Sequence, residues 1–117
     1  MILKMAIVIG RLRGMLNKAQ EMFQRTKEGR ILLLAGAEEF YNEILIDIGD
    51  KADEGVYEYS FPETDVPELL RPHIDALIVP LFEKNGFHVR TTRHSALFGG
   101  DFLYYHINWY QTGEENE

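Results

Sequence analysis

Two short runs near the carboxy-terminal end carry the side chains best suited to chemistry: FHVRTTR, residues 87–93, and DFLYYHINWY, residues 101–110. In an extended strand, successive side chains point to opposite faces. One face of the later run then holds Leu103, Tyr105, Ile107 and Trp109, and the other holds Phe102, Tyr104, His106, Asn108 and Tyr110. Pairing the runs as a hairpin with Arg93 opposite Asp101 sets His88 against His106, Arg90 against Tyr104 and Thr92 against Phe102. Directly opposed Cβ atoms lie about 5 Å apart, so two imidazoles meet in that register. Glu58 and Ser60 join the same face if VYEYSF, residues 56–61, keeps Tyr57 and Tyr59 inward.

Three chemistries fit these residue types. The first is a partner contact through Arg90, Tyr104, His106, Tyr110 and His88, since aromatic residues and arginine are enriched where proteins meet. Self-association is its simplest form, and a host protein is another. The second is single-stranded nucleic acid, with rings stacking bases and arginine meeting phosphate. The third is metal-assisted hydrolysis with His88, His106 and Glu58 as nitrogen and oxygen ligands. No compact ligand motif such as HExxH supports the third. The favoured expectation is a non-enzymatic interaction protein with no catalytic residue, metal or cofactor assigned.

Other candidates are thinner. Gly10 and Gly14 in GRLRG lack the lysine and hydroxyl of a phosphate loop. Ser95 follows His94, but adjacency in sequence does not make a nucleophile and its base. Glu39, Glu43, Asp47, Asp50 and Glu54 form an acidic row that can engage a basic partner through long-range attraction. Solubility alone also explains such a row.

The totals narrow the class. The chain has 117 residues, 45% hydrophobic, no cysteine and a net charge of -7. One core fits and two do not. Disulfides, thiolate metal sites and cysteine nucleophiles are excluded. No apolar run has the length of a membrane span, and MILKMAIVIGRLRG reads as part of the fold rather than a leader. The expected compartment is the cytoplasm, including a host's. Charge is uneven: residues 1–30 carry seven basic and two acidic side chains, whereas 31–69 carry one and eleven. A split of this kind serves contacts within the chain or between copies.

The positioning elements read as helix, helix, strand, helix, strand, strand. Met5, Val8, Leu12, Leu16, Ala19 and Phe23 give a helical stripe over 5–28, with MAIVIG as a rival strand and Gly29 as the stop. Leu33, Ala37, Tyr41, Ile44, Ile48 and Ala52 give a second helix over 31–54, ended by Gly55. A third helix is expected after Pro67, with a stripe of Leu70, Ile74, Leu77, Leu81 and Phe82, a bend at Pro80 and a stop at Asn85 and Gly86. HSALFGG serves as a seven-residue hairpin connection. The whole predicts an α+β domain over 1–110: a three-stranded antiparallel sheet with three helices packed on one side, then an acidic flexible tail over 111–117. An alternating Rossmann-like order is the structural alternative.

The order of Gly55, Tyr57, Tyr59, a helix, Asn85, Gly86, Phe87, Val89 and then Ile107, Asn108 and Trp109 resembles small accessory α+β proteins of tailed bacteriophages. The resemblance covers about the second half of the chain. It implies a viral accessory role and carries no catalytic residues across.

Overall fold

The computed structural model describes residues 17–97 and 99–112. These divide into two compact units between Leu32 and Leu33. Helix α1, Lys18–Asp53, runs through that division. Asn17 caps it: the Asn17 side chain accepts the Gln20 N–H at 2.8 Å, and the Gln20 side chain accepts the Asn17 N–H at 3.1 Å. This reciprocal box satisfies two amide donors left over at a helix start. The helix expected over 5–28 therefore has a boundary at Asn17, and its residues 5–16, with the rival strand at MAIVIG, lie outside the described residues.

Gly29 does not stop the helix. It keeps ordinary helical backbone, and a glycine inside a helix costs only about 1 kcal/mol relative to alanine, too little to outweigh the helix-forming residues on both sides. The two helices expected over 5–28 and 31–54 are thus continuous where described. The true stop is Gly55 at φ 81. Val56 N–H bonds the Lys51 carbonyl at 3.0 Å and Gly55 N–H bonds the Ala52 carbonyl at 3.0 Å. That pair of bonds is the Schellman ending, which places its C′ residue in the left-handed region.

In the second unit, strand β1 spans Glu58–Pro62, β2 His88–Ala96 and β3 Gly100–Asn108. They form one antiparallel sheet in the order β1-β3-β2. The segment before β2 is not one helix. It passes through a 3-10 stretch at Glu68–His73, a π turn at Ile74–Ile78 and the six-residue helix α2, Val79–Lys84. Two α-helices are present among the described residues, not three. The cause is chemical. Pro72 and Pro80 each remove an amide donor and crowd the preceding turn. The π turn widens the spiral just ahead of Pro80, with Val79 N–H reaching the Ile74 carbonyl. Pro67 occupies the N-cap position of the 3-10 stretch, with no side-chain cap hydrogen bond there. Arg71 does the bracing instead, donating to the carbonyls of Val66 at 2.9 Å and Thr64 at 3.0 Å.

The core gathers Ala37, Phe40, Ile44 and Ile48 of α1, Phe61, Val66, Leu70, Ile74, Ile78 and Phe82, and Tyr105 and Ile107 of β3. Leu70, Ile74, Ile78 and Phe82, spaced by four, carry the core side chains of the successive 3-10, π and α turns. Ile78, absent from the expected stripe, is fully buried, whereas Leu77 and Leu81 pack only at its margin. Rings link the layers: Phe40 meets Phe61 edge-on at 5.4 Å, Phe61 stacks on Tyr105 at 5.6 Å, and Tyr41 meets Phe82 at 4.8 Å. Gly86, at φ 91, ends α2 by a second Schellman pair, and Phe87 folds back onto Phe82 at 5.9 Å. The strand face carrying Phe61, Tyr105 and Ile107 is thereby sealed, and among the described residues the opposite face supplies none to the core.

Candidate functional site

Alternation holds along β3. Leu103, Tyr105 and Ile107 turn inward, while Phe102, Tyr104, His106 and Asn108 share the outer face. The register differs from the expected one by two residues on the hairpin. His88 faces Asn108, Arg90 faces His106, Thr92 faces Tyr104 and His94 faces Phe102. An even displacement preserves every side chain's face and changes only its neighbours. The reason lies in the turn: β2 continues through Ala96 and β3 begins at Gly100, whose φ of 73 suits a short connection. His94 and Ser95 therefore belong to the strand, not to a loop.

His88 and His106 consequently do not form a pair. Their strand positions are one step of the outer face apart, and the ligand set of His88, His106 and Glu58 is not assembled. Among the described residues no group of three or more histidine, aspartate or glutamate side chains is placed to hold a metal ion.

His106 occupies the middle of the face, between Ser60 on β1 and Arg90 on β2. Its Nδ1 lies 2.6 Å from the Ser60 hydroxyl, and its Nε2 lies 2.8 Å from the Thr92 hydroxyl. That same Thr92 hydroxyl lies 2.9 Å from Nε2 of His94. A single chain of polar groups, Ser60, His106, Thr92 and His94, thus crosses all three strands. Arg90 donates to Glu58 at 3.1 Å, and the same Glu58 oxygen lies 3.6 Å from Nδ1 of His106. The His106 side chain is 16% exposed. Burial holds its pKa below the usual histidine value, the Arg90 and His94 charges lower it further, and Glu58 opposes them.

A ladder of rings runs beside this chain. His94 stacks on Phe102 at 5.9 Å and meets Tyr104 edge-on at 4.7 Å, and Tyr104 stacks on His106 at 6.3 Å. Aromatic rings favour such stacked and edge-on arrangements because their faces are negative and their edges positive. Tyr110 stands apart, edge-on to Tyr57 at 5.1 Å, with its amide held by Asn108. Of the residues expected at a partner contact, Arg90, Tyr104 and His106 are gathered together. His88 lies farther along the same face and Tyr110 beyond the end of β3. Ser60, Thr92, His94 and Phe102 complete the cluster. Their strand parity signals the face, but placing His94 in a loop hides its role.

Other candidates resolve differently. Ser95 points away from the histidine face and donates to Asp101 at 2.8 Å. In the acidic row, Glu39, Glu43 and Asp50 are exposed, Asp47 accepts the Tyr59 hydroxyl at 3.1 Å, and Glu54 pairs with Lys51 at 3.4 Å. Comparison of the chain with family models, curated proteins and solved structures returns no match. No helix among the described residues is long and apolar enough to cross a membrane.

Proposed function

We propose that the protein is a non-enzymatic interaction module whose outer sheet face docks a second copy of itself, in keeping with the resemblance to phage accessory proteins. The observation that carries this reading is the ring ladder of His94, Phe102, Tyr104 and His106 on a face from which no described residue enters the subunit's own core. Its charges favour a copy over other partners. The cluster holds one cation, Arg90, and one anion, Glu58, already in contact across β3. A two-fold axis brings each patch against itself, so Arg90 of one copy can meet Glu58 of the other. A nucleic-acid track needs a surplus of cations, and this cluster has none when its histidines are neutral.

The test is solution mass with a folded control. The wild type is expected to sediment as a dimer and Tyr104→Glu as a monomer with an unchanged far-ultraviolet spectrum. A wild type that stays monomeric at high concentration would rule the reading out. Labelled single-stranded oligonucleotide titrated at low salt separates the alternative: tight binding there would favour the nucleic-acid surface.

A further inference from the structure

Thr92 has one hydroxyl proton and two imidazole neighbours. With both rings neutral, every link of the chain can have one donor and one acceptor. One such order runs from the Ser60 hydroxyl to His106 Nδ1, from His106 Nε2–H to Thr92 Oγ1, and from the Thr92 hydroxyl to His94 Nε2. One added proton on His106 is tolerated by the hydrogen bonds: both ring nitrogens then donate, to Ser60 and to Thr92. It is opposed by burial and then by the Arg90 charge, and favoured by Glu58, which Arg90 already engages. A second proton, on His94 Nε2, sets two cations on one hydroxyl and leaves the Thr92 proton without a ring acceptor.

The groups facing His106 are Glu58 and Ser60 from β1, Arg90, Thr92 and His94 from β2, and Tyr104 from its own strand. One carboxylate faces two basic groups there. Covering this face with a second copy removes water from the imidazoles and brings in the partner's equivalent set. Losing water penalises a charged His106 ring, and the partner's set, with one Arg90 and one Glu58, brings no net charge to offset it.

Resting on the self-association proposed above, we infer that docking at this face is coupled to the protonation of His106, so that acidification releases the second copy. The sign follows from linkage. A histidine pKa that falls on assembly makes assembly strongest above the free subunit's pKa and weaker as pH drops below it. The dissociation constant then rises up to about tenfold per pH unit for each proton taken up on release. The window lies below the ordinary histidine value of about 6.5, since burial lowers His106 in the free subunit already.

Sedimentation of the full chain at about pH 7.5 and pH 5.5, with the His106 ring followed by NMR, tests the coupling. The expected result is a dimer at the higher pH and a folded monomer at the lower. His106 should titrate at lower pH when the protein is concentrated than when it is dilute. His106→Gln should show a smaller ratio of dissociation constants between the two conditions. Equal wild-type affinity at both values would overturn the coupling and leave self-association standing. A monomer at both would overturn the two together. Loss of the folded spectrum at the lower pH would show acid unfolding rather than release, and would also overturn it.

Discussion

Tyr59 and Tyr105 show how single side chains join the buried layer to its acidic surroundings. Burial, then the hydrogen bond and charge of Asp47, push Tyr59 up to about 12. Burial, then the charge and hydrogen bond of Asp75, push Tyr105 up to about 12. A phenol with a raised folded pKa stabilises the fold fully below its unfolded value of about 10. That contribution is lost as pH climbs through the folded value. Through these two phenols, denaturant midpoints should fall between about pH 10 and 12. Tyr59→Phe plus Tyr105→Phe should reduce that fall, and an equal fall in the double variant would refute the assignment. These partnerships were not legible in the sequence. Asp47 reads there as one member of an acidic row, because its tyrosine partner is fixed by packing between α1 and β1.

Elements in this chain end where the backbone demands it. Gly49 and Gly55 are both glycines of α1's final stretch, yet they have opposite roles. Gly49 lies within the helix, and a Cβ there would meet nothing within 4 Å. Gly49→Ala should stabilise the protein by about 1 kcal/mol. Gly55, at φ 81, holds the Schellman ending. Gly55→Ala should cost about 1–2 kcal/mol, because L side chains clash in the left-handed region. Thermal melts of the two variants should shift in opposite directions, and a shared direction would defeat this account. Gly55 and Gly86 were readable as stops, since each follows a hydrophobic repeat and precedes a strand. Gly29 read as a stop as well and is not one. A helix end needs bonds from residues beyond it to carbonyls behind it, and residue type alone does not supply them. The segment after Pro67 departs from a single helix for a related reason. Its leucines and isoleucines match a helical stripe, but two prolines divide it into 3-10, π and α turns, and Ile78 becomes a core residue.

For the whole molecule, the net charge of -7 works against the association proposed for the outer sheet face. Like-charged copies repel over distances that shrink from about 30 Å at 0.01 M salt to about 8 Å at 0.15 M. The Glu58–Arg90 contacts would be covered by the partner and screened less. Raising salt over that range should therefore tighten the dimer, whereas binding to a nucleic-acid strand weakens with salt. Sedimentation across a salt series checks this, and steady loosening would count against a sheet-face dimer. What the sequence by itself determined was parity: Tyr104 and His106 had to share one face of their strand, and His88, Arg90 and Thr92 one face of theirs, because alternation is a steric property of each extended residue. It also determined the α+β class and two of the helix stops, which depend on local backbone chemistry. Only the tertiary structure decided the register, joining Arg90 rather than His88 to His106 and bringing His94 in through Thr92. Register depends on where the turn closes and which strands pack on the core. Those are interactions between distant residues, and a displacement of two leaves the alternating pattern unchanged.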